Sequence, residues 1–205
     1  MEKLYILREF SEPLGVRQRT LFELVKTGKI KVIIKHGAWY IENTEIPTLF
    51  KVTNFKVKGV AIYARVNDET KKENLEKQVE MLERIATKLF PLNKHTVIKD
   101  IASGVDENRK GLRQLIKLVK KRKINVVFVA SKERLATVGL TYLEEFFKSH
   151  GVVVITAADE EPKKHILDLK KDLIEVAKTF AGEVFKKRSR RYRDLIDTIE
   201  KTFAI

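Results

Sequence analysis

Three arginines stand where chemistry on a phosphate would need them. Arg65 and Asn67 end the run Val60–Asn67 (VAIYARVN), Arg109 lies in Asn108-Arg-Lys-Gly-Leu112 at the start of a helical stretch, and Arg134 lies in Lys132-Glu-Arg-Leu135 after another apolar run. Guanidinium groups match phosphate oxygens in a fixed fork and stabilise the charge that develops in phosphoryl transfer. Arginines at strand ends also serve in plain surface ion pairs, and spacing alone leaves both readings open. A second group, Arg17, Gln18, Arg19 and Thr20, opens a short helix after Leu14-Gly15-Val16. Arginine can pair with guanine and glutamine with adenine, each through two hydrogen bonds. Lys29, Lys31 and Lys35 follow it and are suited to backbone phosphates; a solvated polar face is the bland alternative.

These residues need elements to hold them. Ile6–Leu14 reads as a short helix stopped at Gly15, Arg17–Lys26 as a second helix with Leu21, Leu24 and Val25 on one face, and Lys29–Ile34 with Ala38–Ile41 as a hairpin around His36-Gly37. Helix, turn, helix and hairpin is the layout of a small winged helix-turn-helix domain, predicted over residues 1–50. Residues 51–57 (KVTNFKV) read as a linker. From there the β-branched runs Val57–Val66, Thr96–Ile101, Asn125–Ser131 and Val152–Ala157 suit strands buried on both faces. They alternate with helical stretches Glu69–Leu89, Leu112–Lys121 and Thr141–Ser149, so residues 58–162 are predicted to form an α/β domain with a mostly parallel sheet and flanking helices. After Pro162, Ile166, Leu169, Leu173, Val176, Phe180 and Val184 recur at helical spacing, which predicts one long C-terminal helix over 163–205 whose apolar stripe packs on a second copy.

Composition narrows the partners. The chain carries 42 Lys and Arg against 28 Asp and Glu, a net charge of +14. That excess points to a polyanion, although Lys- and Glu-rich thermophile proteins are also highly charged. Its clustering favours the polyanion: Lys186, Lys187, Arg188, Arg190, Arg191 and Arg193 are crowded into KKRSRRYR with no acid among them. With no cysteine and four scattered histidines, no metal or other cofactor is expected. No run has the length of a membrane span, and the N-terminus lacks the apolar block of a signal peptide, so a cytoplasmic, nucleoid-associated protein is the expectation.

Two resemblances sharpen this picture. Leu14-Gly15-Val16, the Thr20-containing helix, Gly28-Lys29-Ile30 and the hairpin resemble the MerR-like winged helix, although Lys35–Tyr40 (KHGAWY) lacks the Gly-Gly-His-Arg stretch common there. That resemblance puts Arg17, Gln18, Arg19 and Thr20 at groove-facing positions. Tyr63-Ala-Arg-Val-Asn67, Asn74-Leu-Glu-Lys-Gln78, Asp100-Ile-Ala-Ser-Gly104, Asn108-Arg-Lys-Gly-Leu112 and Lys132-Glu-Arg-Leu135 resemble, in order and spacing, the motifs of the serine recombinase family. Together with Asp172-Leu-Ile, Phe180 and Lys187-Arg-Ser189, they resemble its insertion-sequence transposase branch, which carries a MerR-like reader at the N-terminus.

Active relatives read Tyr-Ala-Arg-Val-Ser, and that serine attacks a DNA phosphate to form a phosphoserine link. The resemblance implies that Arg65, Gln78, Arg109 and Arg134 are retained. Asn67 replaces the nucleophile, Thr137 an active-site arginine, and Glu133 an aspartate. A carboxamide nitrogen is conjugated with its carbonyl and is no practical nucleophile; Ser103 and Ser131 are the nearby hydroxyls in sequence, with nothing to indicate activation. The function expected is therefore a DNA-binding, regulatory recombinase-like protein that does not cleave. It would act on double-stranded DNA as a homodimer or homotetramer through the C-terminal helix, or as a mixed oligomer with an active relative. The alternatives are an active recombinase carrying a nucleophile substitution, and a purely protein-binding scaffold.

Overall fold

The structure, a computed structural model, describes residues 3–157, 172–174, 176–182, 184–185 and 189–203. Among them are a three-stranded antiparallel sheet near the N-terminus and a four-stranded parallel sheet beyond it.

In the N-terminal part, strand β1 (Leu4–Ile6) leads through a 3₁₀ turn at Leu7–Phe10 into a one-turn helix α1 (Ser11–Leu14). The single helix expected over Ile6–Leu14 is thus divided, because Leu4–Ile6 pairs with a strand 36 residues away rather than with its own neighbours. Gly15 ends α1 at φ 66°, a left-handed conformation that costs glycine little. Helix α2 (Gln18–Lys26) follows, with Arg17 at its N-cap and Leu21 buried beneath it. The hairpin forms as β2 (Ile33–Lys35) and β3 (Ala38–Glu42), turning on His36 and Gly37, both at positive φ as a two-residue primed turn requires. Helix α3 (Ile46–Val52), where no helix is expected, carries through the first two residues of the presumed linker; its Leu49 and Phe50 are buried in the core.

The parallel sheet has the order β5-β4-β6-β7, with β4 Val60–Val66, β5 His95–Ile101, β6 Val126–Val129 and β7 Val153–Thr156. Helices α4 (Lys72–Leu89), α5 (Lys110–Lys120) and α6 (Leu140–Ser149) connect the strands. All residues of β4 and β6 are buried, as central strands flanked by helices should be. In β5 only Ile98 and Asp100 are buried, which corrects the expectation of a strand covered on both faces: the order places β5 at the sheet edge. At the other edge, the Tyr5 hydroxyl donates to the Thr156 carbonyl (2.5 Å) and accepts from the Thr156 amide (3.1 Å). The N-terminal part therefore blunts a strand edge that would otherwise be open.

That contact belongs to a larger seam. Phe50 stacks on Phe90 at 5.6 Å between ring centroids, and Phe90 meets Phe128 edge-on at 6.0 Å. One hydrophobic cluster consequently runs from Leu7, Leu21 and Ile41 into Ile62, Leu82 and Phe128. Aromatic burial of this kind dominates interface energetics, so the two parts are held as one packed unit.

At the C-terminal end, the expected long helix is not continuous. Residues 172–174, 176–182 and 184 are helical, Phe185 and Ser189 are bends, and a separate helix occupies Arg190–Phe203. Ser189 acts as its cap: its hydroxyl accepts from the Tyr192 amide (3.2 Å), satisfying a donor the helix start leaves unpaired. Ile166, Leu169, Lys186, Lys187 and Arg188 lie outside the described residues.

Candidate functional site

Reversal of strand order on either side of β4 makes its C-terminal end a switch point, where connections diverge and open a crevice. Residues Arg65 to Asn67 are delivered there. The Arg65 amide donates to the Gln78 side-chain oxygen (2.9 Å), fixing the strand end against α4. The Arg65 side chain is 2% exposed. Its Nε donates to the Arg134 carbonyl (3.1 Å), Nη2 to the Glu133 carbonyl (3.2 Å), and Nη1 to the Ala102 carbonyl (2.9 Å) and the Asn67 Oδ1 (2.5 Å). Burial depresses its pKa, the neighbouring Arg109 charge lowers it further, and Asp172 opposes both.

Arg109 is turned inward as well. Nε donates to the Asp106 carbonyl (2.7 Å), Nη2 to the Leu135 carbonyl (2.7 Å) and Nη1 to the Tyr63 hydroxyl (3.1 Å). Tyr63 in turn donates to Asp100 (2.8 Å), and burial raises the phenol far above its ordinary pKa. The Asp100 carboxylate also accepts the Gly111 and Leu112 amides (2.7 and 2.9 Å), capping the start of α5 from a neighbouring strand. A Cβ on Gly111 would stand 2.7 Å from that carboxylate, which explains glycine in Arg109-Lys-Gly-Leu112. Arg134 is 5% exposed. The surface ion-pair reading of the arginines is therefore excluded: all three are buried, and Arg65 and Arg109 clasp the backbone of residues 133–135.

Asn67 and Thr137 complete the centre. The Asn67 oxygen accepts from Arg65, and its nitrogen donates to Asp172 Oδ1 at 3.4 Å. The Thr137 hydroxyl donates to Asp172 Oδ2 at 2.5 Å. Ser103 is buried and donates to Asp172, whereas the buried Ser131 hydroxyl has no hydrogen-bond partner among the described residues. Asp172 is the site residue whose role the sequence reading missed. Its motif was visible, but an acid opening an amphipathic pattern carries no mark of being buried 105 residues away from Asn67.

The assembled centre joins β4, the segment after β5, the start of α5 and the segment after β6, and residues 60–198 match the family described as "Resolvase, N terminal domain". The chain belongs to the serine recombinase family. Solved structures agree: the C-terminal catalytic domain of ISC1926 TnpA, an IS607-like serine recombinase, superposes with a TM-score of 0.64 at 39% identity, over 71% of this chain and 99% of that one. A serine recombinase from Sulfolobus solfataricus gives 0.58 at 30% identity, over 70% of this chain and 96% of that one. The resolvase-named protein R80 of Acanthamoeba polyphaga mimivirus is 32% identical over 191 residues, 90% of this chain and 95% of its own.

The second predicted cluster sits elsewhere on the chain. Arg17, Gln18, Arg19 and Thr20 are all exposed at the start of α2, and Lys29, Lys31 and Lys35 are exposed along the hairpin side. Phe22 meets Trp39 edge-on at 4.8 Å, locking α2 to β3. A groove between them is lined by Arg8, Arg19, Lys26 and His36. Arg190 and Arg191 are exposed on the C-terminal helix, where Arg190 lies 3.8 Å from Asp194. None of the described helices is long and apolar enough to cross a membrane, and no group of three or more potential metal ligands occurs among the described residues.

Proposed function

We propose that this recombinase relative binds duplex DNA through α2 and the β2–β3 hairpin, as a winged helix-turn-helix reader, and does not cleave it. The observation that carries the reading is Asn67 at the nucleophile position, with both ends of its carboxamide engaged by Arg65 and Asp172. An amide so placed offers neither a nucleophilic lone pair nor a proton that a base would remove to make one. The exposed Arg17–Thr20 face supports the DNA-reading half. Serine recombinases act on DNA and generally oligomerise. The exposed Leu173, Val176, Phe180 and Val184 support self-association, as a homodimer or homotetramer, or mixed assembly with an active relative that would be held inactive.

The test is binding to duplex DNA as a function of salt. With about six phosphate contacts, affinity should fall on the order of a thousandfold between 50 and 200 mM salt; no binding at low salt would end the proposal. A second reading, an active recombinase carrying a substituted nucleophile, draws on the buried Arg65, Arg109 and Arg134. It requires Asn67→Ser, alone or with Thr137→Arg, to form a covalent protein–DNA adduct on the protein's own target site. Absence of an adduct from both variants counts against it.

A further inference from the structure

Asp172 is 2% exposed, and its two carboxylate oxygens are met by donors from four directions. Oδ1 accepts from the Ser103 hydroxyl at 2.8 Å, the Gly104 amide at 3.3 Å and, at a longer 3.4 Å, the Asn67 amide. Oδ2 accepts the Thr137 hydroxyl at 2.5 Å. Arg65 adds a cation: its buried guanidinium is stabilised in the charged form by Asp172 against the repulsion of Arg109 and Arg134. Gly104 makes room for this arrangement. A Cβ there would fall 2.8 Å from Arg65 Nη2 and 2.9 Å from Asp172 Oδ2, besides colliding with the Thr137 hydroxyl.

Neutral donors converging on two oxygens, with the charge of a buried guanidinium nearby, make an oxyanion cradle, the kind of environment that a buried charge must have. Two of its donors, Asn67 and Thr137, are the positions at which this chain departs from the active recombinase pattern. Asn67 spans the site because a carboxamide accepts at one end and donates at the other. Its oxygen takes an Arg65 proton while its nitrogen reaches Asp172. A serine hydroxyl is too short to hold both.

We propose that the substituted centre is an autoinhibitory latch: Asp172 fills an oxyanion cradle as an internal occupant, and a phosphate group enters only when Asp172 and the helical residues that follow it withdraw. The substitutions at 67 and 137 are then working parts of the latch rather than bare losses. Because the occupant is tethered, it competes at the millimolar or higher effective concentration typical of an intramolecular partner, enough to exclude a weakly held free anion. The latch does not depend on the DNA-reading proposal, since α2 and the hairpin contribute nothing to it.

The experiment uses the full chain, isotope-labelled, with the Ser103 and Gly104 amide resonances followed as inorganic phosphate is added at constant ionic strength. The wild type should show no saturable shift over a range in which Asp172→Ala does, an apparent gain in phosphate affinity on the order of tenfold or more. Asp172→Asn, which keeps the side-chain shape and removes the charge, serves if the alanine variant does not fold, and should gain affinity in the same sense. Equal phosphate binding by wild type and folded variants would overturn the latch; so would the absence of any binding by the variants. A second arm adds a short random duplex to Asp172→Ala carrying Arg17→Ala and Arg19→Ala. Shifts at Gly104 there identify a backbone phosphate as an admissible occupant, while shifts with inorganic phosphate alone restrict the cradle to the small anion. Failure of DNA binding through α2 leaves the phosphate arm unaffected, so the two proposals fail separately.

Discussion

Two sets of arginines face opposite ways in this molecule. Those at the end of β4 and after β5 and β6 are buried, and Arg65 and Arg109 donate to backbone carbonyls that would otherwise be stranded. Arg17 and Arg19, with Lys29, Lys31 and Lys35, stand in solvent. The same side chain does different work in each place. Buried guanidinium is part of the frame, because removing it leaves several desolvated carbonyls unpaired. Exposed guanidinium contributes little to folding and is available to an incoming partner. The contrast teaches that the arginine centre is organised around the protein's own backbone and Asp172, whereas Arg17, Arg19, Lys29, Lys31 and Lys35 are turned to solvent.

The sharpest way to break the contrast is to truncate one residue from each set. Arg65→Ala should cost about 3–5 kcal/mol of stability, the range for breaking a buried charge network, read as a shift in the denaturant midpoint. DNA affinity of the fraction still folded should change little. Phe90→Ala attacks the seam between the two regions and should cost a similar ~3–5 kcal/mol, the usual loss for a buried aromatic; two separate unfolding transitions in the variant would show that the seam couples the parts. Arg19→Ala or Arg17→Ala should do the reverse of Arg65→Ala, weakening binding to the protein's own DNA site by about 1–3 kcal/mol while moving stability by no more than ~0.5 kcal/mol. Tyr5→Phe removes the hydroxyl on Thr156 and should cost roughly 0.5–1.5 kcal/mol in thermal unfolding. The smallest effect belongs to Lys31→Ala. It should weaken DNA binding equally across sequences and reduce the salt slope by about 0.9, the value of one phosphate contact. A stability loss from Arg19→Ala as large as that from Arg65→Ala would dissolve the distinction between the two sets.

Much of this was legible in the chain. The alternation of β-branched runs with amphipathic stretches placed the α/β layers, since periodicity is a local property set by the face an element buries. The hairpin turn at His36-Gly37 was equally local. Elements whose stability comes from distant partners were harder to see. Strand β1 exists because β3 pairs with it, and α3 because Leu49 and Phe50 reach the shared core. The apolar stripe of the C-terminal region runs in the sequence only as far as Val184, and a serine-capped helix starts afresh at Arg190.

The sequence by itself determined the family motifs, the three arginines in order along the chain, and an asparagine at position 67 beside the first of them, because residue identity and short spacing are read directly from the chain. Only the tertiary structure decided what those residues do now. Strand order brought the end of β4 to a switch point. Tyr5 crossed 151 residues to close the edge of β7. Asp172 came from 105 residues beyond Asn67 to take the place at the centre. Such contacts are selected by packing and by the need to satisfy every buried polar group, and neither condition is written in any local stretch of the chain.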